Sequence, residues 1–204
     1  LGVTVLLAAV VAAFGWIMVA SGLVDRPLVN AYKLTLHLSL ALLVYSYLWW
    51  TILLVFPPEL KFFNTPLLKK WGRTLLVLVA VQIALGGMMS GMKAGLFYPT
   101  WPDMNGELVP ALLFSFQNWT ADNFVHYDSG PFMNALVQTL HRGMAYVLTI
   151  IGLWFFFKAM PLAGAPALRR GLWLFLGALL LQVALGILTL VNCVGSIPVG
   201  LGVW

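Results

Sequence analysis

Five long apolar runs constrain the fold of this chain more than any other feature of its sequence. They cover residues 1–24, 33–56, 71–92, 132–157 and 171–193. A helix needs about 20 residues to cross the hydrocarbon core of a bilayer, so each run is long enough to span it. Inside lipid such a run has to be helical, because every backbone polar group must be hydrogen-bonded within the segment. With 62% hydrophobic and only 8% charged residues, the 204-residue chain is predicted to be an all-α polytopic membrane protein with about five transmembrane helices.

The charged residues between the runs predict how the chain is oriented in the membrane. The connection 57–73 carries four Lys or Arg residues, and the connection 158–170 carries three more. The long loop 94–131 has no Lys or Arg and holds four acidic residues, Asp103, Glu107, Asp122 and Asp128. By the positive-inside rule, the two basic connections face the cytoplasm or mitochondrial matrix and the acidic loop faces the other side. The net charge of +5 is therefore explained by topology and gives no reason to expect a nucleic-acid partner.

Two histidines lie inside apolar runs, His37 in the second run and His141 in the fourth. An ionisable side chain in hydrocarbon is costly, so an intramembrane histidine indicates a functional site. A histidine hydrogen-bonded to a neighbouring helix is the alternative for either residue alone. Because two occur on separate spans, ligation is favoured, and haem iron is the commonest intramembrane partner of paired neutral imidazoles. A third histidine, His126, lies in the acidic loop, where a solvated surface residue is favoured over a lid above a cofactor.

A short motif recurs near the ends of three of the runs. Residues 82–86 (QIALG) match residues 182–186 (QVALG) 100 positions later, and residues 11–15 (VAAFG) form a degenerate copy. A histidine-bearing helix follows the copy at residues 11–15 and the copy at residues 82–86. Small residues let helices approach closely, so packing alone can explain one copy. Three copies at the same place in a helix pair predict duplicated helical hairpins.

Both ends of the chain lie in apolar sequence, so we expect it to be part of a longer protein. It starts on Leu1 within one apolar run and stops at Trp204 within another. In the repeat, His37 follows Gly15 by 22 residues, and the same interval counted from Gly186 ends at about position 208. A further histidine is therefore expected just beyond the last residue of this chain.

Several stretches of the sequence, in order and at fitting spacings, resemble the heme A synthase family. They are 19–23 (VASGL), 32–38 (YKLTLHL), 82–87 (QIALGG), 90–95 (SGMKAG), 100–106 (TWPDMNG), 140–142 (LHR) and 181–190 (LQVALGILTL). The glycine-rich turn followed by the TWPDMNG motif is the most specific of these. The paired loop cysteines of some family members are absent, so the chain looks like the cysteine-free branch that is typical of proteobacteria and mitochondria.

The resemblance implies an eight-helix bundle made of two repeated four-helix halves, each with two haem-ligating histidines. Residues 1–56 are expected to be the remainder of the amino-terminal half, which holds the substrate haem O. Residues 57–70 are expected to be a basic inside linker, and residues 71–204 the carboxy-terminal half, short of its last helix, which holds haem b. Carried over by position, His37 is expected to ligate the substrate haem and His141 to ligate haem b. The implied location is the bacterial plasma membrane or the mitochondrial inner membrane.

The implied reaction oxidises the C8 methyl of haem O to the formyl group of haem A by successive hydroxylations. Bis-histidine haem b is expected to relay electrons from an unidentified donor, and haem O synthase or cytochrome oxidase assembly factors are expected partners. Arg142 and Lys33 are candidates for contacts with haem propionates, the alternative being that each reaches lipid headgroups. No catalytic acid or base is identified. The family's substrate half has an acidic residue one turn before its first histidine, and at the corresponding place before His141 stands Gln138, whose amide cannot act as a carboxylate.

Two other functional classes remain open at this point. One is a non-catalytic cytochrome b subunit, which would hold two haems of the same type tightly. The other is a transporter built from repeated hairpins, in which the histidines relay protons and no Soret absorbance is expected.

Overall fold

A computed structural model describes residues 2–21, 29–56 and 65–192. The long helices in this part of the chain are α1 (Gly2–Val19), α2 (Ala31–Val55), α3 (Pro66–Gly91), α5 (Phe132–Ala159) and α6 (Pro166–Asn192), while α4 (Ala121–Val125) is a short helix in the loop before α5. All five long helices have the length and apolar composition needed to span a membrane. The predicted all-α polytopic architecture with five spans is therefore confirmed. The arrangement of eight helices in two halves stays a prediction.

Two of the helices begin more than one turn earlier than the sequence predicted. α3 starts at Pro66 rather than at position 71, and α6 starts at Pro166 rather than at position 171. Proline suits the first turn of a helix, because the N–H that it lacks has no intrahelical partner there. Lys69, Lys70 and Arg73 therefore lie in α3, and Arg169 and Arg170 lie in α6. Residues 57–64 of the expected linker lie outside the described part of the chain.

The long helices expose apolar side chains over most of their surface. Leu76 of α3 and Leu174 of α6 are each 75% exposed, and α1 buries none of its residues within the protein. A helix that is apolar on all sides belongs either in a large core or in lipid. The exposed apolar faces of these helices are therefore suited to contact with lipid or with further membrane-spanning helices.

Neighbouring long helices pack in chain order. α2 contacts both α1 and α3, α3 contacts α5, and α5 contacts α6. α2 and α3 approach each other closely at Gly91, where an added methyl group would lie 2.7 Å from Cα of Ala31. A glycine at this position leaves room for the backbone of the facing helix.

The loop between α3 and α5, residues 92–131, packs onto the end of the bundle at which α2 and α5 begin. We refer to it as the α3–α5 loop. Its Ala94, Leu113 and Tyr127 are buried in one cluster with the first residues of both helices. The hydroxyl of Tyr127 accepts a hydrogen bond from the backbone N–H of Ala31 at 2.9 Å, and the hydroxyl of Tyr32 donates to the carbonyl of Phe124. The loop therefore joins the start of α2 to the start of α5.

Candidate functional site

His37 packs against the first copy of the repeated motif. It is the seventh residue of α2, which places it about 9 Å along the helix from Ala31 at about 1.5 Å per residue. A methyl group added at Gly15 of α1 would lie 2.9 Å from Cε1 and 3.4 Å from Nδ1 of His37. The imidazole therefore occupies the space that Gly15 leaves on the facing helix. Its Nδ1 is buried and has no hydrogen-bond partner among the described residues.

His141 packs in the same way against the second copy. A methyl group added at Gly86 of α3 would lie 3.4 Å from Cε1 of His141. Gln82, one turn before Gly86, places its amide Nε2 at 3.3 Å from Nε2 of His141. In the tautomer of His141 that has its proton on Nδ1, the Gln82 amide donates and the imidazole Nε2 accepts. Nδ1 of His141 and Oε1 of Gln82 are both buried without a partner in the described ranges.

The two glycine–histidine contacts are related by the sequence repeat. Gly15 and Gly86 hold the same place in their copies, and each lies against the histidine of the next long helix in the chain. This agreement supports the predicted duplication of helical hairpins. The third copy differs, because a methyl group at Gly186 would meet no atom within 4 Å among the residues that the structure describes.

Arg142 and Gln138 bind the α3–α5 loop. The Nη1 and Nη2 groups of Arg142 donate to the carbonyl oxygens of Asp103 at 2.6 Å and Tyr98 at 2.8 Å. The Nε2 group of Gln138, a fully buried side chain, donates to the same Tyr98 carbonyl at 2.7 Å. Both terminal amino groups of the guanidinium thus bind the loop, while its Nε is buried and unpartnered in the described part of the chain. Contact between Arg142 and a haem propionate stays a prediction.

The TWPDMNG motif forms a tight turn that inserts one side chain between the loop and α5. Asn105 and Gly106 have φ angles of 59° and 94°, and the N–H of Met104 donates to the carbonyl of Glu107 at 2.6 Å. Positive φ at both central residues is typical of a tight turn with an Asn-Gly sequence. Met104 is only 2% exposed, and its sulfur lies 3.5 Å from Oγ1 of Thr139, two residues before the histidine of α5.

The remaining candidate residues lie near the surface at this end of the bundle. Lys33 is exposed on α2, one turn before His37, and its contact with a haem propionate also stays a prediction. The side chain of His126 is 64% exposed and lies 3.7 Å from Asp122, which agrees with the favoured prediction of a solvated residue. Burial, together with the negative charge of Glu107, raises the pKa of the Tyr98 phenol above its usual value.

Comparison with known proteins places the chain in a family. The family of cytochrome oxidase assembly proteins, COX15-CtaA, matches residues 1–203. The chain belongs to this family. The resemblance seen in the sequence motifs is therefore confirmed.

Curated relatives carry the name Heme A synthase. One from Bradyrhizobium sp. (strain BTAi1 / ATCC BAA-1182) is 38% identical over 191 residues, which cover 92% of this chain and 50% of the relative. Another from Nitrosomonas eutropha is 36% identical over 180 residues, covering 86% and 49%. A third from Flavobacterium johnsoniae is 32% identical over 189 residues, covering 92% and 53%. The chain spans about half the length of the curated relatives it matches. No solved structure matches the chain.

The two histidine sites fit the haem that this family implies. Each imidazole lies within the apolar part of a spanning helix and faces a glycine, which adds no side chain beside the ring. His37 and His141 each keep a buried nitrogen without a partner in the described residues. Neutral imidazole is a common ligand of haem iron, so the donor type is compatible with such a group, and the buried Nδ1 of each ring is a polar atom that still lacks a partner in the described residues.

Two polar residues of this region had no role assigned from the sequence alone. Gln82 contacts His141, and Gln138 binds the α3–α5 loop. In the sequence, each of them is noticeable only as an amide inside an apolar helix: Gln82 lies one turn from a glycine and Gln138 lies one turn from a histidine. That signal shows that an amide needs a partner, but the identity of the partner depends on how the helices pack.

Proposed function

We propose that the protein containing this chain is a heme A synthase, which oxidises the C8 methyl of haem O to the formyl group of haem A by successive hydroxylations. The observation that carries the proposal is the pair of equivalent contacts, Gly15 with His37 and Gly86 with His141. Two matching imidazole sites on separate helix pairs are what an enzyme with one substrate haem and one resident haem requires. The curated name of the relatives supports the same activity.

In this proposal the two histidines have different roles. His37 ligates the substrate haem O and His141 ligates a resident haem b, with partner histidines on helices beyond this chain. Haem b supplies one-electron transfer when it is bound, and its electrons come from an unidentified donor. The α3–α5 loop covers the end of α5 near His141 and limits the access of water there. Lys33 and the Nε group of Arg142 are the cationic groups proposed for the propionates.

The proposed setting follows from the same family. The protein lies in a bacterial plasma membrane or the mitochondrial inner membrane, with its two basic connections in the cytoplasm or matrix. It receives haem O from haem O synthase and delivers haem A to cytochrome oxidase assembly. In both steps the haem is apolar enough to move within the lipid.

The ligand assignment is tested by the pigments that the purified full-length protein retains. His141→Ala is expected to remove the retained haem b, because the iron would keep only one of its two imidazole ligands and be held much more weakly. His37→Ala is expected to leave haem b in place and to abolish haem A formation. His126→Ala is the matched control and should change neither, since its side chain is exposed in the loop. Extraction and chromatography distinguish haems B, O and A in each preparation.

Three results would contradict the proposal. Unchanged pigment in both His37→Ala and His141→Ala would make these residues ordinary packing histidines. Two tightly held haems of one type, with no haem A under any condition, would indicate an electron-transfer subunit. A protein purified without Soret absorbance would favour a transporter.

A further inference from the structure

The two histidine sites differ in one polar partner. Gln82 lies four residues before Gly86 and its amide reaches the imidazole of His141 at 3.3 Å. Val11 holds the equivalent place in the first copy, four residues before Gly15, and offers no hydrogen-bonding group. Each of these two copies therefore places a glycine beside an imidazole, but only the copy at residues 82–86 also places an amide there.

The contact with Gln82 fits the tautomer of His141 that carries its proton on Nδ1. A neutral imidazole has one N–H and one nitrogen with a free lone pair. In this tautomer Nε2 carries the lone pair and accepts from the Gln82 amide at 3.3 Å. A lone pair on a neutral imidazole nitrogen is what a metal ion requires.

Two atoms left over from this contact complement each other. Nδ1 of His141 and Oε1 of Gln82 are both buried without a partner in the described part of the chain, and in this tautomer the first is a donor and the second an acceptor. The two groups already belong to side chains in contact. A ligand that takes over Nε2 would release the Gln82 amide, whose oxygen can then accept from Nδ1–H.

Resting on the proposed haem site at His141, we infer that Gln82 is a positioning residue for that site. Its amide donates to Nε2 of His141 when the nitrogen is free and accepts from Nδ1–H when Nε2 is bound to haem iron. A hydrogen bond from the far N–H of a ligating histidine fixes the ring and makes it a more basic ligand. Val11 gives His37 no such partner, which suits a site from which the modified haem has to leave.

The reduction potential of the haem at His141 tests this role, because a purely structural residue would not shift it systematically. A more basic imidazole stabilises the ferric state, so a weaker acceptor raises the potential and a stronger acceptor lowers it. Gln82→Leu is expected to raise the potential and Gln82→Glu to lower it relative to the wild type. Loss of the partner in Gln82→Leu should also speed haem release, by about 10-fold. The measurement is a redox titration of the full-length protein, followed by transfer of the haem to an acceptor protein.

Thr74→Val is the matched control on α3, because it removes a hydroxyl that bonds only to Lys70 of the same helix. It should leave both the potential and the release rate unchanged. If Gln82→Leu retains its haem with an unchanged potential, or releases it more slowly, the inference is wrong. If Gln82→Leu cannot be purified with haem, the Gln82→Glu variant decides, and an unchanged potential there overturns it. Absence of haem from the wild-type site would instead refute the proposed function.

Discussion

At the scale of single residues, each candidate ligand is placed by the absence of a side chain on the facing helix. The imidazole of His37 lies closer to Gly15 than that of His141 lies to Gly86, since an added methyl group would meet Cε1 at 2.9 Å in the first case and at 3.4 Å in the second. Carbon atoms in favourable contact are about 3.5–4.0 Å apart. A methyl group at Gly15 would thus displace the ring, whereas one at Gly86 would make a close van der Waals contact with it.

Gly15→Ala and Gly86→Ala form a matched pair for this geometry. Gly15→Ala is expected to move the His37 ring at an overpacking cost of about 1–3 kcal/mol and to reduce haem A formation. Gly86→Ala is expected to keep the retained haem b near the wild-type amount. Both are measured from pigment extracted from full-length protein. A larger effect of Gly86→Ala than of Gly15→Ala would contradict the packing described here.

The sequence located both histidines but not their surroundings. An imidazole in a lipid-spanning run is conspicuous by itself, because its burial is costly wherever the helix packs. The contact of Gln82 with His141 depends on the spacing of two helices, and the sequence carries no direct record of that spacing. The bonds from Arg142 end on backbone carbonyl groups, which every residue has, so no side-chain pattern could indicate them.

At the scale of secondary-structure elements, the α3–α5 loop is held by α5 through the guanidinium of Arg142. Its planar group reaches two carbonyl oxygens at once, those of Asp103 and Tyr98. A lysine ammonium is a compact charge without this planar pair of N–H groups, so it does not reproduce both hydrogen bonds in the same geometry. The integrity of the loop therefore depends on arginine at this position.

Arg142→Lys is expected to loosen the loop without unfolding α5. Losing one hydrogen bond to a charged group costs about 1.5–3 kcal/mol, so amide exchange in residues 98–106 should accelerate about 10-fold or more. Hydrogen exchange followed by mass spectrometry measures this directly. Arg170→Lys, the same substitution at an exposed position of α6, serves as the control and should leave the loop unchanged. Equal exchange in all three proteins would show that Arg142 does not anchor the loop.

The helices themselves were predictable because about 20 apolar residues in a row have few alternatives in lipid. The apolar pattern predicts starts of α3 and α6 that are more than one turn too late. It assigns Pro66 and Pro166 to the connections, whereas in the structure each opens its helix. Proline is compatible with both a connection and a first turn, so sequence alone does not separate the two cases.

At the scale of the whole molecule, the two candidate sites lie on separate helix pairs but at similar depth. His37 and His141 are the seventh and tenth residues of helices that both begin at the end covered by the α3–α5 loop. The charge distribution predicts that this end faces away from the cytoplasm or matrix. Both haem sites are thus expected in the same half of the membrane. The close packing of α2 on α3, through Gly91 and Ala31, joins one pair to the other.

The measurement that tests the account most directly is the conversion of haem O to haem A by the full-length protein. It is made in cells that synthesise haem O and lack a heme A synthase of their own, with haems identified by chromatography of extracted pigment. The account predicts that haem A appears when the wild-type protein is expressed. Accumulation of haem O with no haem A, while the protein is correctly inserted and holds haem b, would contradict it.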